Sequence, residues 1–532
     1  MTRKGICDNF GNCPSKADQH VVIEIESDKE FVCPDCGNRL IPLEEWQSRK
    51  KRRLLLPFPF ILLGLVGVIL AGLVFSFFKN SSAVKKKAGL TSSLQPKLLF
   101  SIITEDCLAR SLVRPLVLGF LHEDLKGQEI GWRERNPQST ELSFVLPDKT
   151  QAIINILTQK TTDGFVHLIS AKDELLISCR KIQAEELKRF PFDMTAPDHE
   201  IVIGQSALTV MVNNQNPLNS LSLEQLEKIF SGNITHWKEL NLPYQGEIIL
   251  FVPDQRSSCS NQTLSSFFRH MPIDRTRVKT IGIEEMKKAV SDNPTSLGIA
   301  DYPSVSQPFG ANENVKILSL FMKGAEAFKP NRFTIGTEEY PLAFRLYLYV
   351  TDKNSSWIQK FIHYVLSTQG QKCVSSMGFV GSGIEEANSG SIPTTGADEG
   401  NLIPLNASER YKSLVTGAKR VPFDIRFRFG SKELDNKGIV DIKRLAQFLS
   451  EPANKDKGVL LIGFTDNVGN HTYNLGLSFE RAQSVANALK KEGIIVVSVA
   501  GAGEEMPVAS NDTEAGREKN RRVEVWLCAK KY

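Results

Sequence analysis

The longest apolar stretch of the chain runs from Leu54 to Phe78, LLLPFPFILLGLVGVILAGLVFSFF, without one charged residue. About 20 apolar residues cross a ~30 Å hydrocarbon layer as a helix, so the pattern predicts a membrane-spanning helix over 54–78. A buried core helix is the alternative, but such helices rarely stay uncharged for so long. A cleavable signal peptide fits worse, because 53 residues precede the run and no small-x-small site follows it. After it, residues 79–95 (KNSSAVKKKAGLTSSLQ) read as a polar linker. From 96 to 383 strand and helix patterns alternate. Ile201 to Val212 (IVIGQSALTVMV) is an apolar strand, Ser222-Leu223-Glu224-Gln225 is a capping box opening a helix, and Trp357 to Leu366 is an amphipathic helix. Such alternation argues for an α/β fold with parallel strands. Residues 384–410 contain SGSIPTTGADEGN, a second linker. From Val421 the order is strand, helix (IVDIKRLAQFLS), strand (GVLLIGFTD), helix (YNLGLSFERAQSVANALKKEG) and strand (RRVEVWL), a compact α/β sandwich.

The flanks of the apolar run orient it. Arg49, Lys50, Lys51, Arg52 and Arg53 abut its N-terminal end, whereas Lys79 and Lys85 to Lys87 are spread along the other side. The positive-inside rule therefore puts the first fifty residues in the cytoplasm and everything after Asn80 outside it, a single pass through the inner membrane. At 532 residues the chain is long enough for three or four domains. A net charge of +5 over that length is too dilute for a nucleic-acid footprint, and 23% charged residues excludes a disordered chain.

Four of the nine cysteines crowd the cytoplasmic head, residues 1–48. Cys7-x5-Cys13 and Cys33-Pro34-Asp35-Cys36 flank VVIEIESDKEFV, which alternates like a hairpin strand. Two thiol pairs across a hairpin are the logic of a zinc ribbon. Four thiolates satisfy tetrahedral Zn²⁺, and so small a domain needs the metal to fold. A redox pair or free thiols remain the alternatives, and His20 reads as a surface residue. The spacing expects one structural Zn²⁺ on Cys7, Cys13, Cys33 and Cys36.

Two resemblances to known families follow. Asn213 to Trp237 (NNQNPLNSLSLEQLEKIFSGNITHW), Tyr340-Pro341-Leu342 before LYLYV, and LSTQGQKCVSSMGFV resemble the phosphate-binding proteins of phosphate ABC transporters over residues 96–383. The resemblance implies a two-lobed periplasmic-binding-protein fold with a small anion in the interlobe cleft. In that family a Gly-Ser-(Asn/Thr)-Thr loop after the first strand holds the phosphate; the equivalent here is Thr104-Glu105-Asp106-Cys107, whose two carboxylates would repel an anion. The family's proton-accepting Asp falls near Phe165. Its Ser-Gly-Thr-Arg loop reads Ser257-Ser258-Cys259-Ser260, with Arg256 just before it. The candidate cleft residues are Thr104, Cys107, Arg256, Ser257, Ser258 and Cys259, and weak or altered phosphate binding is expected. By the same resemblance, Cys107 and Cys259 stand where two threonines face each other, so they either bridge the cleft or remain two unpaired small polar residues.

Gly463-Phe464-Thr465-Asp466, Asn474, Leu477-Ser478-x-x-Arg481-Ala482, Gly501-x-Gly503-Glu504 and Asn511-x-Thr513-x-x-Gly516-Arg517-x-x-Asn520-Arg521-Arg522-Val523-Glu524 resemble the OmpA-like peptidoglycan-binding family across residues 421–528, within a domain of 411–532. A stem peptide containing diaminopimelate ends in an ammonium and carboxylates, so its site needs an acid beside guanidinium groups. Asp466 and Arg481 supply that pair; they could equally form a surface ion pair of little consequence. The resemblance adds Thr465, Asn474 and Arg521 to the pocket, and leaves Arg517 and Arg522 open as solvated or structural residues.

The chain is thus expected to be multidomain: zinc ribbon, transmembrane helix, two-lobed α/β binding-protein fold and OmpA-like sandwich. The leading function is a membrane protein tied to peptidoglycan that carries a binding-protein-like module. The competing one is a phosphate or anion receptor, or a transport accessory, that the wall domain merely localises. Scattered histidines without a triad or a catalytic metal motif argue against an enzyme.

Overall fold

The computed structural model describes residues 2–6, 22–26, 32–34 and 40–43 of the head and, with short interruptions, 96–384 and 407–530. The chain divides into two units, 1–92 and 93–532. In the first, Thr2–Ile6 pairs antiparallel with Val22–Glu26 on one side and Ile41–Pro42 on the other. The edge strand Val22–Glu26 lies inside the stretch that alternates like a hairpin, and Cys33 is buried. Cys7, Cys13 and Cys36 and the apolar run 54–78 lie outside the described residues. Among the described residues no helix is long and apolar enough to cross a membrane and no cluster of potential metal ligands occurs.

In the second unit an eleven-stranded sheet runs through two lobes. Two neighbouring strands carry the chain between them: Glu200–Asn213 leads out and Ala343–Val350 returns. Because one leaves and the other comes back, they pair antiparallel, with Phe344 opposite Ser206 and Leu348 opposite Ile201. The sheet is therefore mixed rather than wholly parallel as the alternation suggested. Parallel pairing is confined to the lobes, where Lys97–Thr104 lies between Gln151–Thr158 and Glu174–Ser178, and Ile249–Pro253 lies between Val278–Ile281 and Ser296–Asp301. All 14 residues of Glu200–Asn213 are buried, its first half in one lobe's core and its second half in the other's. The capping box forms as predicted: Gln225 N–H donates to Ser222 Oγ at 3.0 Å and Ser222 N–H donates to Gln225 Oε1 at 3.0 Å.

The C-terminal domain holds a four-stranded sheet in the order Lys419–Arg426, Arg522–Ala529, Lys457–Gly463, Val496–Gly501. Sequence patterning missed Val496–Gly501, an edge strand whose exposed Val497 and Ser498 break the alternation, and the short helix Glu514–Asn520. The helix His471–Lys491 packs so tightly on this sheet that a Cβ at Gly463 would come within 1.9 Å of the Ser478 carbonyl oxygen. Glycine there sets the helix bearing Arg481 directly against the strand end bearing Asp466.

This domain does not hang freely from the linker; it is docked on the crossover strands. Arg345, on the returning strand, joins Asp435 at 2.7 Å and also bonds Glu338. Glu338 in turn accepts from Arg426 of the C-terminal domain at 3.0 Å and from Gln205 at 3.1 Å. A second node forms around Arg420, which reaches Glu339 and Asp424 at 2.8 Å. Burial pushes the Glu338 carboxyl up, and the Arg345 and Arg426 guanidiniums outweigh it, holding it well below the usual carboxylate range. Glu338 also sits at φ 62°, a left-handed conformation that costs a non-glycine residue ~1–3 kcal/mol and persists only where surrounding contacts impose it.

We predict that Glu338→Ala, which leaves Arg426 buried without its acid and Arg345 with Asp435 alone, destabilises the protein by ~3–5 kcal/mol in urea denaturation. A loss below ~1 kcal/mol would show that the node does not hold the domains together. The sign with pH follows from the depressed carboxyl: its contribution is complete above the unfolded value of about 4.3 and is lost as pH falls below it.

Candidate functional site

Two places in the second unit concentrate polar side chains. The first lies at the end of Lys457–Gly463, against the start of His471–Lys491 and the loop after Gly501. Asp466 Oδ1 accepts from the Val468 N–H at 3.0 Å, which turns the loop and leaves Oδ2 to pair with Arg521 at 2.8 Å. Arg521 also reaches Glu514 at 2.7 Å. The ion pair is thus Asp466–Arg521 and not the surface pair with Arg481 that spacing left open. Arg481 instead donates to the Phe464 carbonyl at 3.4 Å and lies 5.8 Å from the Phe427 ring. Burial, reinforced by the Arg521 cation, lowers the Arg481 pKa, while Asp466 opposes it.

The polar atoms here are incompletely satisfied. Thr465 Oγ1 and Arg481 Nε are buried with no hydrogen-bond partner. Asn474 hydrogen-bonds Glu504, which also meets His471 Nδ1 at 3.0 Å. Leaving a buried polar atom unpaired costs ~1–3 kcal/mol, so Thr465 and Arg481 are the groups here that would gain bonds from a ligand. All five predicted residues, Thr465, Asp466, Asn474, Arg481 and Arg521, belong to this one region. Glu504 and Glu514 were not singled out; Glu504 stood in the Gly501-x-Gly503-Glu504 motif, the signal by which it could have been found. Arg522 is structural, buried and paired with Glu524 at 3.0 Å. Two guanidiniums beside an acid, with an unpaired hydroxyl next to it, complement a small zwitterion.

The second place is the interlobe cleft. Cys107, in the short helix Asp106–Leu108 of one lobe, is disulfide-bonded to Cys259 of the other, with Cα atoms 5.5 Å apart. Beside the bridge is a cavity of about 310 Å³ lined in part by Arg110, Ser111, Ser206, Asp301 and Phe344. The Glu105 carboxylate does not face this space. It is buried, accepts from the Thr161 hydroxyl, and lies 3.4 Å from Ser178 Oγ and 3.7 Å from Cys179 Sγ. Burial pushes its carboxyl up, against the Thr161 hydrogen bond and the Arg180 charge. Arg180 is itself engaged by Glu186 at 2.5 and 2.8 Å. Asp106 is held by Arg110 at 3.5 Å. The expectation of two carboxylates open to an anion is therefore corrected, since Glu105 folds inward onto hydroxyl groups. Phe165 is a core residue of the helix Thr161–Ser170, edge-to-face with Tyr349, and brings no carboxylate to the cleft. Thr104 Oγ1 is buried and unpaired; Arg256, Ser257 and Ser258 lie outside the described residues.

Comparison with known proteins agrees with this division. A PBP superfamily domain matches residues 138–369 and an OmpA family domain matches residues 426–521. The phosphate-binding protein PstS of Staphylococcus saprophyticus is 28% identical over 241 residues, 44% of this chain and 72% of that protein. Outer membrane porin F of Pseudomonas fluorescens is 41% identical over 113 residues, 21% of this chain, and the match spans only 34% of the porin. Among solved structures, an ABC-type phosphate transport receptor from Vibrio cholerae aligns with a TM-score of 0.40 at 18% identity, covering 53% of this chain and 99% of the receptor. The chain therefore fuses a PBP superfamily domain to a C-terminal OmpA family domain.

Proposed function

We propose that the protein is a single-pass inner-membrane protein that holds peptidoglycan through residues 421–528 and carries a binding-protein module with weak or altered phosphate binding. The observation that carries the reading is the cluster in which Thr465 and Arg481 hold buried polar atoms without partners near the Asp466–Arg521 ion pair. A diaminopimelate ammonium would be received by Asp466, and its carboxylate by the planar forks of Arg481 and Arg521. The families matched are binding families, and the reading assigns no catalytic residue.

The cytoplasmic head would hold one structural Zn²⁺ on Cys7, Cys13, Cys33 and Cys36. The strand Thr2–Ile6 ending one residue before Cys7 and the burial of Cys33 support this. Residues 54–78 would cross the inner membrane and leave the rest of the chain in the periplasm, where a disulfide such as Cys107–Cys259 persists. A second reading, a phosphate or anion receptor localised by the wall, is favoured by the 310 Å³ cavity between the lobes. Against it, Glu105 already occupies Thr161, and thiols joined in a bridge replace two hydroxyl donors.

Three measurements test these assignments. Purified sacculi should pellet the wild-type protein, while Asp466→Ala and Arg481→Ala abolish pelleting, because each strands a charge of the ligand at ~2–5 kcal/mol; mutants that still pellet would remove the site. Metal analysis should find one zinc per chain, with chelation unfolding the head; substoichiometric zinc and an unchanged circular dichroism spectrum after EDTA would point to free thiols. Calorimetric titration with phosphate should give little or no heat, and micromolar affinity would place the receptor reading first.

A further inference from the structure

We infer that the C-terminal domain is an integral clamp on the two-lobed domain, which it holds shut from behind while Cys107–Cys259 holds it shut in front, so that the module is a rigid spacer and not a hinged receptor. Lobes of this kind open only if the strands that cross between them flex. Here those strands are Glu200–Asn213 and Ala343–Val350, and the docked domain grips both lobes beside them. On one side of the crossover, Asn436 donates to the Thr195 carbonyl at 2.9 Å and to Glu200 Oε1 at 3.1 Å. On the other, Arg426 bonds Glu338 and donates to the Thr337 carbonyl at 2.8 Å, Arg420 meets Glu339, and Lys519 donates to the Pro341 carbonyl at 3.3 Å. Arg345, on the returning strand itself, is tied to Asp435.

The contact is also sterically close. A Cβ at Gly336 would lie 2.2 Å from the Pro422 carbonyl oxygen, so backbone rests on backbone and neither domain slides past the other. Any rotation of one lobe away from the other must therefore break either the Asn436 hydrogen bonds on one side or the buried ion pairs on the other, where stranding one partner costs ~3–5 kcal/mol. At the mouth the limit is covalent. Disulfide-linked Cα atoms stay within about 7 Å, and these stand at 5.5 Å, so the lobes can part there by no more than ~1.5 Å. A receptor that exchanges its solute by hinge motion would be disabled by either constraint. A spacer that carries tension between membrane and wall gains from both, since force applied through the wall-binding domain enters both lobes at once.

The test is an interlobe distance distribution on the full-length protein in detergent. Spin labels are carried by non-natural residues at positions 188 and 288, which are exposed on opposite lobes. The wild type should give one narrow distribution that 10-fold molar excess of phosphate does not move. Cys107→Ser alone, and Asp435→Asn with Asn436→Ala alone, should each stay narrow, because the other constraint remains; Asp435→Asn keeps the helix cap. The three substitutions together should add a longer-distance population. A broad or two-peaked wild type, or a triple variant as narrow as wild type, would overturn the inference. If the triple variant does not fold, a phosphine reductant added to the Asp435→Asn, Asn436→Ala protein must produce the same longer population, and its absence counts against the clamp. Pelleting with sacculi does not depend on either result, so failure here is distinguishable from failure of the wall-binding assignment.

Discussion

Glu338 is the residue on which the second unit depends. One buried carboxylate takes a guanidinium from the crossover strand, a guanidinium from the C-terminal domain and the Gln205 amide. Trading this acid for an apolar residue strands Arg426 and leaves Arg345 with Asp435 alone, and its left-handed backbone is a conformation that persists only where surrounding contacts impose it. Its side-chain partners Gln205, Arg345 and Arg426 come from three stretches of the chain. The lobes, the crossover strands and the C-terminal domain are therefore specified together rather than as separate modules on a string.

The two candidate sites treat their polar groups differently. In the cleft the groups are turned on one another: Glu105 on Thr161, Arg180 on Glu186, Asp106 on Arg110, and Cys107 on Cys259. Much of the desolvation there is offset internally, while Thr104 Oγ1, Glu105 Oε2 and Ser206 Oγ stay unpaired. In the C-terminal domain one ion pair, Asp466–Arg521, is made, while the Thr465 hydroxyl and Arg481 Nε near it stay unpaired. Buried polar atoms are ordinarily satisfied, so both places keep groups that a ligand could engage.

A disulfide across the cleft and a charge network behind it also differ in how they respond to conditions. The bridge depends on an oxidising compartment. The network depends on ionised carboxylates, of which Glu338 and Asp435 are held below their ordinary range by neighbouring arginines against the push of burial. One constraint is insensitive to pH and the other to thiols.

The sequence by itself determined what depends on local pattern: the uncharged run from Leu54 to Phe78, the capping box at Ser222, the crossover strand from Ile201, and the motifs that gathered Thr465, Asp466, Asn474, Arg481 and Arg521. These are written in spacing, because helix and strand periodicity and turn chemistry act over a few residues. It could raise the Cys107–Cys259 bridge only as one of two outcomes, since 152 residues separate the thiols and proximity is a property of the closed fold. Tertiary structure alone decided that Asp466 pairs with Arg521 rather than Arg481, that Glu105 turns inward, and that Asp435 and Arg426 leave their own domain to meet Arg345 and Glu338. Each is a choice among several chemically equivalent partners. A charge does not encode its partner; only the packing that desolvates both makes one pairing outweigh the rest.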